Sequence, residues 1–163
     1  MTLQKEICYK SLSSIVDMIR KFEISPVEVM EAFISRITTR NPTLNAFVYE
    51  DFDRAYDESK KSEKELTSGK LIGPLHGIPV AIKDLMSSKP GTIMTMGGIR
   101  ALKNNVTNHR CLFTERIEKA GGIIIGKTNS PIMGFRGTCD NYLFGPTKNP
   151  YCLDKNSGGS SGG

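Results

Sequence analysis

One lysine and two serines supply the residue types that acyl transfer needs. Lys83 ends the apolar run Ile78-Pro79-Val80-Ala81-Ile82, and Ser160 and Ser161 stand between glycines in Ser157-Gly158-Gly159-Ser160-Ser161-Gly162-Gly163. A lysine acts as a base near neutral pH only when its ammonium gives up a proton, and apolar surroundings such as Val80-Ala81-Ile82 favour the neutral form. A serine flanked by glycines reaches backbone conformations closed to other residues. Its hydroxyl, held between a lysine and a second serine, can pass a proton in either direction. Each feature also has a plainer reading, the tail as a flexible linker and the lysine as a surface charge at a strand end. The tail follows Asn149-Pro150-Tyr151 and two strand-like runs, which argues against a linker.

Other constellations carry less. Gly121-Gly122-Ile123-Ile124-Ile125-Gly126-Lys127-Thr128 matches the pattern GxxxxGK[ST] of phosphate-binding loops. Such a loop needs a strand before it and a helix after it, so that backbone amides converge on the anion. Here a helical pattern precedes, three isoleucines fill the loop positions and Ser130-Pro131 follows, so the stretch reads as a buried strand. His76 and His109 lie in no Cys/His signature and read as structural or surface residues. Cys8, Cys111, Cys139 and Cys152 are far apart with no CxxC pair, which argues against a zinc site and for reduced thiols. No metal and no cofactor are expected.

The elements that must position these groups begin with helices. Residues 11–22 repeat Leu12, Ile15, Met18, Ile19 and Phe22 at three- and four-residue steps on one face. Ser25-Pro26-Val27-Glu28 combines an N-cap serine, a first-turn proline and a glutamate able to bond back to the cap. It opens a helix over 25–40 that Asn41-Pro42 is expected to end. Residues 44–49 read as a strand, and 51–68 as a charged outer helix. Beyond Gly69, Gly73 and Pro74 come a strand at 78–82, a glycine-rich loop at Gly97-Gly98, a helix over 108–120 and a strand at 123–125. This alternation belongs to an α/β fold with a parallel sheet.

A chain of 163 residues, 38% hydrophobic and 24% charged, is one domain or part of one, and can bury roughly 70% of its unfolded surface. No apolar run approaches the ~20 residues that span a bilayer, and the N-terminus lacks a signal-peptide pattern, so no membrane partner and a cytoplasmic location are expected. The net charge of +5 comes from 22 basic residues spread among 17 acidic ones, without an arginine-rich run, so no nucleic-acid partner is expected.

With these residues in view, the chain resembles the amidase signature family of Ser-Ser-Lys hydrolases of carboxamides. Gly73-Pro74-Leu75-His76-Gly77-Ile78-Pro79-Val80-Ala81-Ile82-Lys83-Asp84 resembles the family's lysine block, residues 120–129 its second block and 158–163 the opening of its signature. The likeness runs from about residue 11 to the end. It implies an α/β fold with a mixed, largely parallel sheet covered by helices, incomplete at the C-terminal end. Residues 1–163 would be the N-terminal part of a single domain, with a helical layer over about 1–70 and the start of the α/β core over about 71–163.

By the same resemblance Lys83 is the base, and Ser160 is the bridging residue, whose peptide bond is usually cis. Ser161, Gly159, Thr95, Gly97 and Gly98 are candidates to line the site. The family's nucleophilic serine and oxyanion amides belong to a further glycine-rich segment beyond residue 163, so these residues alone are expected to be inactive. The implied reaction converts a small-molecule amide to acid plus ammonia or amine, with a homodimer possible for the complete enzyme. Residues 128–135 lack the acidic residue and Phe-Ala associated with the glutamine-amidotransferase subunit that acts on misacylated tRNA, and resemble stand-alone amidases. Three structural expectations follow. The strands at 78–82 and 123–125 lie in one sheet, covered on both faces. The helix over 25–40 packs outside it. Lys83 Nζ lies about 2.6–3.2 Å from Ser160 Oγ and is largely buried.

Overall fold

The computed structural model describes residues 6–163, so the reading of the N-terminus falls partly on residues 1–5, outside that range. Helix α1 spans Leu12–Arg20, α2 Pro26–Leu44 and α3 Phe52–Thr67, with strand β1, Phe47–Glu50, between the last two. Strand β2, Pro79–Lys83, leads to a short ribbon of β3, Thr92–Ile93, and β4, Val106–Thr107. Helix α4, Leu112–Lys119, then feeds β5, Ile123–Thr128, and a second ribbon pairs β6, Lys148–Asn149, with β7, Cys152–Asn156. No helix among the described residues is long and apolar enough to cross a membrane.

The chain forms two compact units, each assembled from separated stretches of sequence. The first takes residues up to Thr39, Asp51–Val80 and Glu115–Ile125. Its helices start where the sequence signals them. Ser11 accepts the Ser14 amide at 3.1 Å, and at α2 the capping box closes both ways, Glu28 N–H on Ser25 Oγ at 3.1 Å and Ser25 N–H on Glu28 Oε2 at 2.8 Å. Ile15 and Ile19 of α1, Val29 and Ala32 of α2, Leu66 of α3 and Ile78 form one buried cluster, with Val80 packed against it. Helix α2 therefore packs on the start of β2, as expected. Helix α3 turns inward a face of Leu66 with Ala55, Ser59 and Ser62, the last three being small residues that the hydrophobic pattern alone underweights.

The second unit takes Arg40–Glu50, Ala81–Thr114 and Gly126–Gly163. Both units draw on residues from either side of position 70, and β1, from the expected helical layer, is a sheet strand. The sheet order is β1-β5-β2. β1 runs antiparallel to β5, with Phe47 opposite Thr128 and Glu50 opposite Gly126. β2 runs parallel to β5, because Ile123 N–H donates to Ile78 O at 2.8 Å and Asp84 N–H donates to Thr128 O at 3.0 Å. The sheet is mixed, as expected, with one parallel and one antiparallel neighbour pair.

Two expectations are corrected. β5 is buried from Ile123 to Lys127, but β2 borders one strand among the described residues and exposes Ala81, so it is not covered on both faces. An apolar run signals a strand without specifying how many neighbours it has. Asn41-Pro42 does not end α2, which continues to Leu44 with Pro42 in its last turn. Asn45 N–H still reaches Asn41 O at 2.7 Å, and the Asn41 amide clamps Phe47, accepting its N–H at 2.8 Å and donating to its C=O at 2.9 Å. The proline forfeits one helical bond near the end, and this tie to β1 offsets it.

Candidate active site

Lys83 is the last residue of β2, at the carboxyl end of a strand parallel to its neighbour, where open α/β sheets commonly place ligands. Its Nζ donates to Ser160 Oγ at 2.9 Å and to Ser161 Oγ at 3.1 Å, across 77 residues of sequence in the first case. The first distance falls inside the expected range. The burial does not: Lys83 and Ser160 are half-buried and Ser161 is exposed. The apolar neighbours in sequence are only partly neighbours in space, because Ala81 points to solvent and Val80 belongs to the core of the first unit.

The serines are held by what precedes them. Asn156, the last residue of β7, accepts the Cys139 and Gly158 amides at 3.1 and 2.9 Å and donates to Cys139 O at 2.9 Å. The Gly159–Ser160 peptide is cis. A Cβ on Gly159 would lie 2.8 Å from the Thr138 carbonyl carbon, and one on Gly163 2.4 Å from Asn129 N, so both positions require glycine. The floor under Gly163 is a polar network in which Asn129 donates to Thr147 Oγ1 at 3.0 Å and accepts from Asn141 at 2.7 Å. Nothing in sequence spacing pointed to Asn129, Asn141 or Asn156, although asparagine directly before a serine-glycine run is a turn signal.

The remaining candidates divide. Gly159 and Ser161 flank Ser160. Thr95, Gly97 and Gly98 are buried and turned to packing: the Thr95 hydroxyl bonds Asp84, Gly97 sits on the Pro131 carbonyl and Gly98 on the Asn141 side chain. Asp84, which follows Lys83 in sequence, gives its carboxylate to Thr95 rather than to the lysine. Lys127 lies inside β5, fully buried, with Nζ on Ile93 O at 2.7 Å, which excludes the phosphate-loop reading. His76 is structural, its Nδ1 accepting the Ile72 amide at 3.3 Å and its Nε2 facing Ser62 O at 2.9 Å, whereas His109 is exposed.

The loop over 132–142 borders a cavity of about 580 Å³, which Lys83, Ser160 and Ser161 do not line. Ile132, Met133, Phe135 and Tyr142 supply its apolar wall, and Arg136 pairs with Asp140 at 2.7 Å on its polar side. The loop meets the serine segment through Thr138, against Gly159, and is tied to the 95–98 turn by the Met133 amide, which donates to Met96 O at 3.0 Å.

Comparison with known proteins shows the family. Residues 28–163 match the Amidase family. The chain belongs to that family. It is 34% identical over 158 residues to an acylamidase of Rhodococcus erythropolis, covering 97% of this chain and 33% of the relative. It is 37% identical over 158 residues to a glutamyl-tRNA(Gln) amidotransferase subunit from a Sulfurihydrogenibium species, covering 97% and 32%. The crystal structure of a bacterial aryl acylamidase of the amidase signature enzymes superposes with a TM-score of 0.90 at 43% identity, covering 94% of this chain and 32% of that one. Fatty acid amide hydrolase superposes at 0.92 with 29% identity, covering 99% and 28%. The chain thus spans about a third of the length of these relatives. At the level of the family, the chemistry is hydrolysis of amide C–N bonds.

Proposed function

We propose that these residues form the base-and-bridge part of an amidase that cleaves a small-molecule carboxamide to its acid plus ammonia or amine. The observation that carries the reading is the 2.9 Å contact of Lys83 Nζ with Ser160 Oγ. Neutral Lys83 takes the Ser160 proton while Ser160 takes that of a nucleophilic serine from the family's further glycine-rich segment. The nucleophile's oxygen bonds to the carbonyl carbon, and the C–N bond breaks as the nitrogen receives the relayed proton. Water then releases the acid from the acyl-enzyme by the same path reversed. The reading involves no metal, cofactor or nucleic acid.

A second reading, the amide-cleaving component of a glutamyl-tRNA(Gln) amidotransferase, is favoured by 37% identity to a protein of that kind, no lower than the identity to the acylamidase. The two separate on whether turnover requires charged tRNA and a partner protein. The test is ammonia or arylamine release by the full-length gene product from simple aliphatic and aromatic amides, with Lys83→Arg alongside. An arginine keeps the charge and can donate to both serines, but it cannot deprotonate at usable pH. Lys83→Arg is expected to lower kcat/KM by about 10²–10⁴-fold. Wild-type rates in that variant, or no release from any amide by the full-length product, would remove the proposal. The 163 residues alone are expected to release no ammonia; steady release abolished by Ser161→Ala would mean that Ser161 acts as nucleophile.

A further inference from the structure

We propose that Asp84 and Thr95 are positioning residues that aim Lys83 at Ser160 and Ser161. The inference rests on reading Lys83 as the base. The chain turns just after β2, where Leu85 N–H closes back on Lys83 O at 2.9 Å, so Lys83 sits where a strand ordinarily frays. Asp84 prevents this at four points. Its N–H donates to Thr128 O at 3.0 Å, and its C=O accepts the Ser130 hydroxyl at 3.1 Å. Its Oδ1 accepts the Thr95 amide at 3.0 Å, and its Oδ2 accepts the Thr95 hydroxyl. Thr95 is fixed in turn, with Oγ1 accepting the Gly98 amide at 2.8 Å and C=O accepting that of Ile99 at 3.0 Å. Asp84, Thr95 and Ser130 are all at most 2% exposed.

Packing alone does not account for this arrangement, because a buried carboxylate costs more than an apolar side chain of its size unless its hydrogen bonds are needed. The clamp has two effects on Lys83. It anchors the first atom of a side chain with four rotatable bonds, so that Nζ reaches both hydroxyls from one fixed origin. It also turns the adjacent acid onto Thr95, which leaves the ammonium facing two neutral hydroxyls.

The experiment is competitive acetylation of the folded 163-residue chain with limiting acetic anhydride, read lysine by lysine by peptide mass spectrometry. This measures the surroundings of Lys83 without turnover, so failure of amide hydrolysis leaves it intact as a test. Lys127, buried in β5, reports the integrity of the fold. Thr95→Val, which removes the hydroxyl but keeps the shape, is expected to change the Lys83 rate at least fivefold with Lys127 unchanged. Thr95→Ser, which restores the hydroxyl, is expected to stay within twofold of wild type. Asp84→Asn, which retains one acceptor, is expected to change Lys83 about threefold and serves in place of Thr95→Val should that variant not fold. An unchanged Lys83 rate in either folded variant, parallel rises at Lys83 and Lys127, or Thr95→Ser behaving like Thr95→Val would each overturn the proposal.

Discussion

Gly159→Ala perturbs the site by the smallest possible addition. The new methyl would lie 2.8 Å from the Thr138 carbonyl carbon and 3.0 Å from its N and O, all backbone atoms. Ordinary van der Waals contact begins at 3.4 Å, so the glycine-serine segment must withdraw by ~0.6 Å. Overpacking of this size costs about 1–3 kcal/mol, or a melting-temperature fall of ~2–12 °C for a chain of this length. Ser160 is the next residue, and a comparable shift of its hydroxyl stretches the 2.9 Å contact with Lys83 to about 3.5 Å, past useful hydrogen-bond length. Misplacement approaching 1 Å at a reacting group costs on the order of 10²-fold in rate. The assays are thermal unfolding of the 163-residue chain and kcat/KM of the full-length product. A melting temperature within 1 °C of wild type together with an unchanged rate would show that Thr138 yields freely and that the glycine is not required for packing.

Further outcomes are expected elsewhere. Ser25→Ala removes the hydroxyl that accepts the Glu28 amide, leaves the Ser25 N–H on Glu28 Oε2, and should cost about 1 kcal/mol, a fall of ~2–4 °C in melting temperature, whereas Ser25→Asp should retain most of the stability. Ser160→Ala in the full-length product should slow the same step as Lys83→Arg, by about 10²–10⁴-fold; a loss under threefold would exclude the bridge. Burial pushes the Cys111 thiol up, but hydrogen bonds from the Thr114 hydroxyl and amide and from the backbone of Ser88 and Phe113 outweigh it and hold the thiol below its ordinary range. Burial leaves Cys8 raised, with Arg36 acting the other way. A lowered pKa means thiolate at lower pH, so iodoacetamide should modify Cys111 at a lower pH than Cys8, and the reverse order would refute the assignment.

What the sequence determined by itself is local or written in unusual residues. The Ser25 to Glu28 capping box, the isoleucine run of β5 and the amphipathic face of α1 depend on neighbours within a few positions, and each formed where its pattern indicated. The Ser157 to Gly163 segment was legible because few contexts other than close backbone approach call for so many glycines in ordered chain. Tertiary structure alone decided the rest. Pro42 remains helical because Asn41 grips β1, and β2 borders β5 alone among the described residues because strand order is set by partners distant in sequence. Asp84 adjoins Lys83 in sequence. The carboxylate went to Thr95 and the ammonium to serines 77 and 78 residues away, because hydrogen bonds are satisfied by what the packed chain brings within 3 Å and not by what adjoins in sequence.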